Sequence, residues 1–170
     1  MSLTDRETWG LIHGMVLGAA FLLAFGGGVA GFWSLKPELV TAAGVVERIR
    51  RLKVGVVAMA VAAWGTVLTG TWVVYPWYRS PAKTSPKSIL VADESTAQWH
   101  EFGMEWKEHI AWLSPILATV VAFVVVYLGT QLIRHDNVRR MLLTLFVIAF
   151  GIAAVAGLFG ALITKVAPVL

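Results

Sequence analysis

The sequence predicts an all-α integral membrane protein: one membrane domain over residues 1–170, built as a four-transmembrane-helix bundle with an outer interfacial helix leading into the third span. Apolar residues make up 58% of the chain, and a mean hydropathy of +0.74 leaves too little polar surface for an ordinary soluble domain. They gather in four blocks, at about 9–35, 54–77, 110–133 and 141–163, each apolar around most of its circumference. At about 1.5 Å of rise per residue, each block is long enough to cross roughly 30 Å of hydrocarbon.

The first span opens on TDRE, a capping-box pattern in which Thr4 caps the helix and Glu7 occupies the reciprocal position. Its leader sets Asp5 and Glu7 against Arg6, and the apolar run exceeds that of a cleavable signal, so it reads as a span. Pro76 marks the expected end of regular structure in the second span. PWYRSPAKTSPKS, with three prolines, then makes an extended outer connection inside the 78–109 loop. STAQ repeats the capping pattern through Ser95 and Gln98, so a helix is expected from about residue 95, lying at the outer surface and feeding the third span. Pro115 should free the Ala111 carbonyl and bend that span just after His109. The short HDNVRR turn makes spans three and four antiparallel neighbours.

Charge sets the orientation. Lys36, Arg48, Arg50, Arg51, Lys53, Arg134, Arg139 and Arg140 share one side and account for eight of the fourteen Lys and Arg residues. Their density near the span ends places the first and third connections inside, with both termini and the 78–109 loop outside; a bacterial inner membrane is the expected location. The formal charge of +4 calls for no nucleic acid, because ERIRRLK suits anionic lipid headgroups at the inner surface. The chain has no cysteine, which removes disulfides and thiolate ligands.

Small residues step by four along three spans: Gly10, Gly14 and Gly18; Ala58, Ala62, Thr66 and Gly70; Ala153, Gly157 and Ala161. Such faces promote close helix packing in lipid, and a flat cofactor would exploit the same absence of side chains. GGG at Gly26 to Gly28 lacks the strand, turn and helix of a nucleotide site.

The histidines discriminate further. His13 lies about one turn inside the outer end of span one and His109 at the outer start of span three, so these two are the pair opposed at similar depth on separate helices. His135 sits at the inner end, and His100 lies about two and a half turns before His109. Neutral imidazoles on facing helices can ligate iron from both sides of a haem. Glu105, one turn before His109, can orient its ring, while Arg79 and Lys107 can meet acidic cofactor groups. Each has a plainer role as a boundary charge that reaches water or headgroups. Trp9, Trp72, Trp77, Trp99, Trp106 and Trp112, with Tyr75 and Tyr78, form an aromatic belt at this boundary.

HGMVLG around His13 and WKEHIAW around His109, set in four spans, give the chain a resemblance to small four-helix membrane b-type cytochromes, including membrane anchor subunits of respiratory enzymes. The resemblance covers about four-fifths of the chain and is architectural. It implies one haem b per chain, held as a metal centre by His13 and His109, that exchanges electrons with a quinone pool or a redox protein partner. It departs from two-haem members in having a single credible histidine pair. The expected partners are the lipid bilayer and a larger membrane complex or homo-oligomer. A cofactor-free structural accessory subunit is the main alternative. Zinc or copper on His13, His109 and nearby glutamates is a further one, though the wide spacing specifies no coordination geometry. Transport is disfavoured by the lack of charge in the membrane core and of paired half-helices. Self-contained catalysis lacks a placed nucleophile, so an electron carrier or non-catalytic subunit is expected over an enzyme.

Overall fold

The computed structural model of the chain describes residues 2–168. Within them α1 (Asp5–Ser34), α2 (Ala42–Tyr78), α4 (Glu94–Arg134) and α5 (Asp136–Val166) are each long and apolar enough to cross a membrane, and α3 (Pro86–Val91) is a short helix in the outer connection. The chain is an all-α integral membrane protein with a four-helix bundle. Neighbouring pairs are α1 with α2, α2 with α4 and α4 with α5, and a lighter contact of α5 with α1 closes the ring.

The capping box of α1 forms as its sequence predicts. Thr4 Oγ1 accepts from the Glu7 backbone N–H at 3.2 Å, and the Glu7 carboxylate accepts from the Thr4 N–H at 2.7 Å. The cap of α4 is not Ser95. Asp93 takes that place one turn position earlier, its carboxylate accepting from both the backbone N–H and the hydroxyl of Ser95. A carboxylate outcompetes a hydroxyl for two converging donors, and those bonds hold Asp93 below its ordinary acidity range.

Pro76 does not end α2. A π-helical stretch, Gly70–Val74, precedes it, and the wider turn changes which carbonyls meet which N–H groups before the proline, so the helix continues to Tyr78. The outer connection is likewise less extended than its prolines suggest. Ser85 caps α3, and Pro86 occupies the first helical turn, where a missing N–H costs nothing. At the opposite end of the bundle, Thr41 caps α2 and ERIRRLK lies within that helix, not in a loop. Pro115 does coincide with a break in α4: the Ala111 carbonyl accepts from Ser114 N–H at 3.1 Å, a tight turn between π-helical and α-helical segments. Gly129, at φ 52°, ends the α-helical part of α4 in the left-handed region that favours glycine.

The bundle middle is filled. Val56 and Met59 from α2, Val121 and Val125 from α4, and Phe146 from α5 are fully buried. Phe25 stacks on Phe150 with ring centroids 3.8 Å apart, and Phe21 and Phe146 extend that stack between α1 and α5. Close helix approach uses glycines other than the four-residue series of α1. A Cβ on Gly28 would lie 2.5 Å from the Phe146 ring and one on Gly31 2.9 Å from Leu52, whereas Gly10, Gly14, Gly18 and Gly157 meet open space. The close approaches inside the bundle are thus made at Gly28 and Gly31, and the Gly10, Gly14 and Gly18 series meets no neighbouring helix of this chain.

Candidate functional site

At the bundle end that carries the 78–109 connection, the backbone departs from regular α-helix on three spans. Ile12–Val16 in α1, Gly70–Val74 in α2, and Trp99–Met104 and Trp106–Ile110 in α4 are π-helical. Each π turn rotates the residues that follow it relative to an unbroken helix, and such turns are frequent at functional sites. Here they carry His13, Gly70, His100, Lys107, Glu108 and His109.

His13 faces α2. Its Nδ1 lies 3.0 Å from Thr69 Oγ1, and the Thr69 hydroxyl donates in turn to the Gly65 carbonyl at 2.7 Å. Donation to that carbonyl leaves Thr69 Oγ1 to accept from a proton on His13 Nδ1, the tautomer in which Nε2 keeps its lone pair. Gly70 makes room for the ring: a Cβ there would stand 2.9 Å from His13 Cε1. Lys107, from α4, lies within electrostatic reach of this imidazole. Its ammonium packs over Gly160 of α5, where a Cβ would come within 2.9 Å of Nζ. Among the described residues no carboxylate lies within ion-pair distance of Lys107.

Beside this pair sits an anchored ionic cluster. Arg79 Nη2 donates to both Glu108 carboxylate oxygens at 2.9 Å, and Tyr75 donates its hydroxyl to Oε2 at 3.1 Å. Glu105 stands 3.7 Å from the same guanidinium nitrogen. The Glu108 bonds hold Arg79 above its ordinary pKa, so it stays a cation at every working pH. Arg79 Nε and Trp106 Nε1 are buried without a hydrogen-bond partner among the described residues. Next to the cluster, buried Tyr78 pairs its hydroxyl with His100 Nδ1 at 2.8 Å.

The residues singled out by sequence thus separate into two environments. His13 and Lys107 turn into the bundle at the end that carries the 78–109 connection. His109 turns outward, its side chain 70% exposed, with Nδ1 set 3.1 Å from the Glu105 carbonyl and 3.3 Å from the Glu105 carboxylate. Glu105 thus lies one turn before His109 and within contact of its ring. Arg79, expected to meet an acidic cofactor group, is instead engaged by Glu108, a neighbour that the sequence reading did not single out. His135 lies at the opposite end of the bundle, where α5 begins. No three or more His, Asp or Glu side chains converge as a metal-binding group among the described residues, which leaves the zinc or copper alternative without a ligand set.

Compared with known protein families, curated proteins and solved structures, the chain matches none.

Proposed function

We propose that the chain is a single-haem membrane electron-transfer protein or subunit, holding one haem b at its outer end and exchanging electrons with a quinone pool or a protein partner. One observation supports this reading: His13 meets a hydrogen-bond partner on the facing helix, Thr69, through Nδ1, the arrangement in which a neutral imidazole would offer Nε2 to iron. That donor chemistry fits an axial iron ligand, since a ligating histidine characteristically donates its other ring N–H to a neighbouring acceptor. His109, the other imidazole named by the sequence, turns outward with Nδ1 beside Glu105, so His13 is the ligand on which this reading rests. The haem, when bound, supplies one-electron carriage; the chain's residues bind it, orient it and set its surroundings.

Within this reading Thr69 fixes the His13 tautomer and Gly70 seats its ring. Lys107 is the cation left to meet an acidic group, since Arg79 is held by Glu108. Glu105 and Glu108 brace the outer ends of α2 and α4 against each other through Arg79. The charge pattern supports placing both termini and the 78–109 loop outside a bacterial inner membrane. The chain purified in gentle detergent is expected to contain close to one haem b per polypeptide by pyridine haemochrome assay. A folded chain prepared with excess haem that retains none would overturn the reading.

A cofactor-free accessory subunit of a larger membrane complex is favoured by a different observation. The Phe21, Phe25, Phe146 and Phe150 stack fills the space between α1 and α5, so the midplane of the bundle is protein and not cofactor. Reproducible copurification with larger membrane subunits, with no bound chromophore, is the result that selects it.

A further inference from the structure

At the opposite, inner end two cavities adjoin where α1 finishes and α5 begins. One, of about 310 Å³, is lined by Lys36, Pro37, Glu38, Asp136, Arg139 and Arg140. The second, of about 270 Å³, shares Lys36, Arg139 and Arg140 but is otherwise walled by Phe32, Trp33 and Leu143. A polar chamber thus opens beside an apolar one, with three cations at their junction.

The charges there are only partly spent. Asp136 is saturated, one carboxylate oxygen taken by Arg139 and the other by Arg140 Nε at 2.7 Å. Arg139 is buried and also donates to the Leu35 carbonyl, so it serves the fold. Lys36 has no carboxylate partner among the described residues; its ammonium lies 4.1 Å from the Trp33 ring centroid, and that indole is 62% exposed. Glu38 lines the polar chamber and opposes an anion. Three cations against two carboxylates leave the junction net positive.

We propose that this paired cavity binds one anionic phospholipid, its phosphodiester between Lys36 and Arg140 and the first part of an acyl chain along Trp33 and Leu143. An amphiphile matches the pairing of chambers, which a free anion would use only in half. The location also fits. Trp33 and Lys36 close a membrane-spanning helix at the end where basic residues are densest, the level at which headgroups lie. The proposal is independent of haem binding at the outer end.

Native mass spectrometry of the full chain in neutral detergent, titrated with phosphatidylglycerol or phosphatidylcholine, tests it. A retained phosphatidylglycerol adduct is expected, with little phosphatidylcholine retained at equal concentration. The Lys36→Gln/Arg140→Gln double variant should weaken retention roughly tenfold or more, since each base near a lipid surface contributes appreciably. Glu38→Gln should strengthen it, which keeps the test decisive if the double variant misfolds. Equal retention of the two lipids, or no change in any variant, would overturn the proposal. Displacement of the lipid by millimolar inorganic phosphate would also overturn it, by reassigning the site to free phosphate.

Discussion

Thr69 accepts a hydrogen bond from His13 across the α1–α2 interface, at 3.0 Å, because its own hydroxyl proton is committed to the Gly65 carbonyl one turn earlier. A threonine on one span thereby selects which nitrogen of an imidazole on another span stays open. Thr69→Val keeps the shape and removes the acceptor. Haem affinity is expected to fall roughly 10- to 100-fold, the usual cost of losing the group that orients a metal-bound histidine, and Thr69→Ser should restore most of it. Haem titration of the apoprotein measures both.

Gly70→Ala probes the same ring from the other side. The new Cβ would stand 2.9 Å from His13 Cε1, and the imidazole is what must yield. The expected outcome is reduced haem occupancy or a shifted reduced absorption band, with thermal stability changed by less than about 1 kcal/mol, because the displaced group is the end of one side chain. A large loss of stability with an unaltered band would contradict this account of Gly70.

Glu108→Gln removes the carboxylate shared by Tyr75 of α2 and Arg79 just past its end. Arg79 is one-third exposed and Glu108 17% exposed, so water moderates the loss without cancelling it. A destabilisation of about 1–2 kcal/mol is expected, between the ranges for surface and buried ion pairs, and a thermal melt in detergent reads it. Tyr75→Phe, which leaves the ion pair intact, should cost less.

Packing glycines and open glycines should behave in opposite ways. Gly28→Ala drives a Cβ into Phe146, which is fully buried in the aromatic stack, and overpacking of that kind costs about 1–3 kcal/mol. Gly14→Ala adds a methyl where nothing lies within 4 Å and should leave the melting temperature unchanged or raise it. Equal melting shifts for the two variants would contradict the packing described for α1.

The fold was legible because hydrocarbon imposes one simple demand: long apolar blocks whose backbone groups pair internally. Caps were legible where one side chain decided them, as with Thr4 and Glu7, and misread where a stronger acceptor stood nearby, as with Asp93 before Ser95. Pro76 was misread because periodicity carries no mark of a π turn, and that turn, formed through tertiary context, lets the helix pass the proline. The same blindness limits the site. Counting residues from the span ends put His13 and His109 at matching depth, but the π turns decide where each ring points. Glu108 escaped notice because it reads as one more charge in EFGMEWKEH, and its bond to Arg79 joins residues 29 positions apart. Thr69 carries no signal of its own in the sequence, and only the fold brings it to an imidazole 56 positions away.

The most direct test is the reduced-minus-oxidised absorption spectrum of the purified chain beside His13→Ala, with folding of both checked by circular dichroism. A b-type band in the parent that disappears in His13→Ala is the predicted result. A parent band that survives the loss of His13 in a folded protein would contradict the assignment of His13 as the ligand on which the proposed function rests.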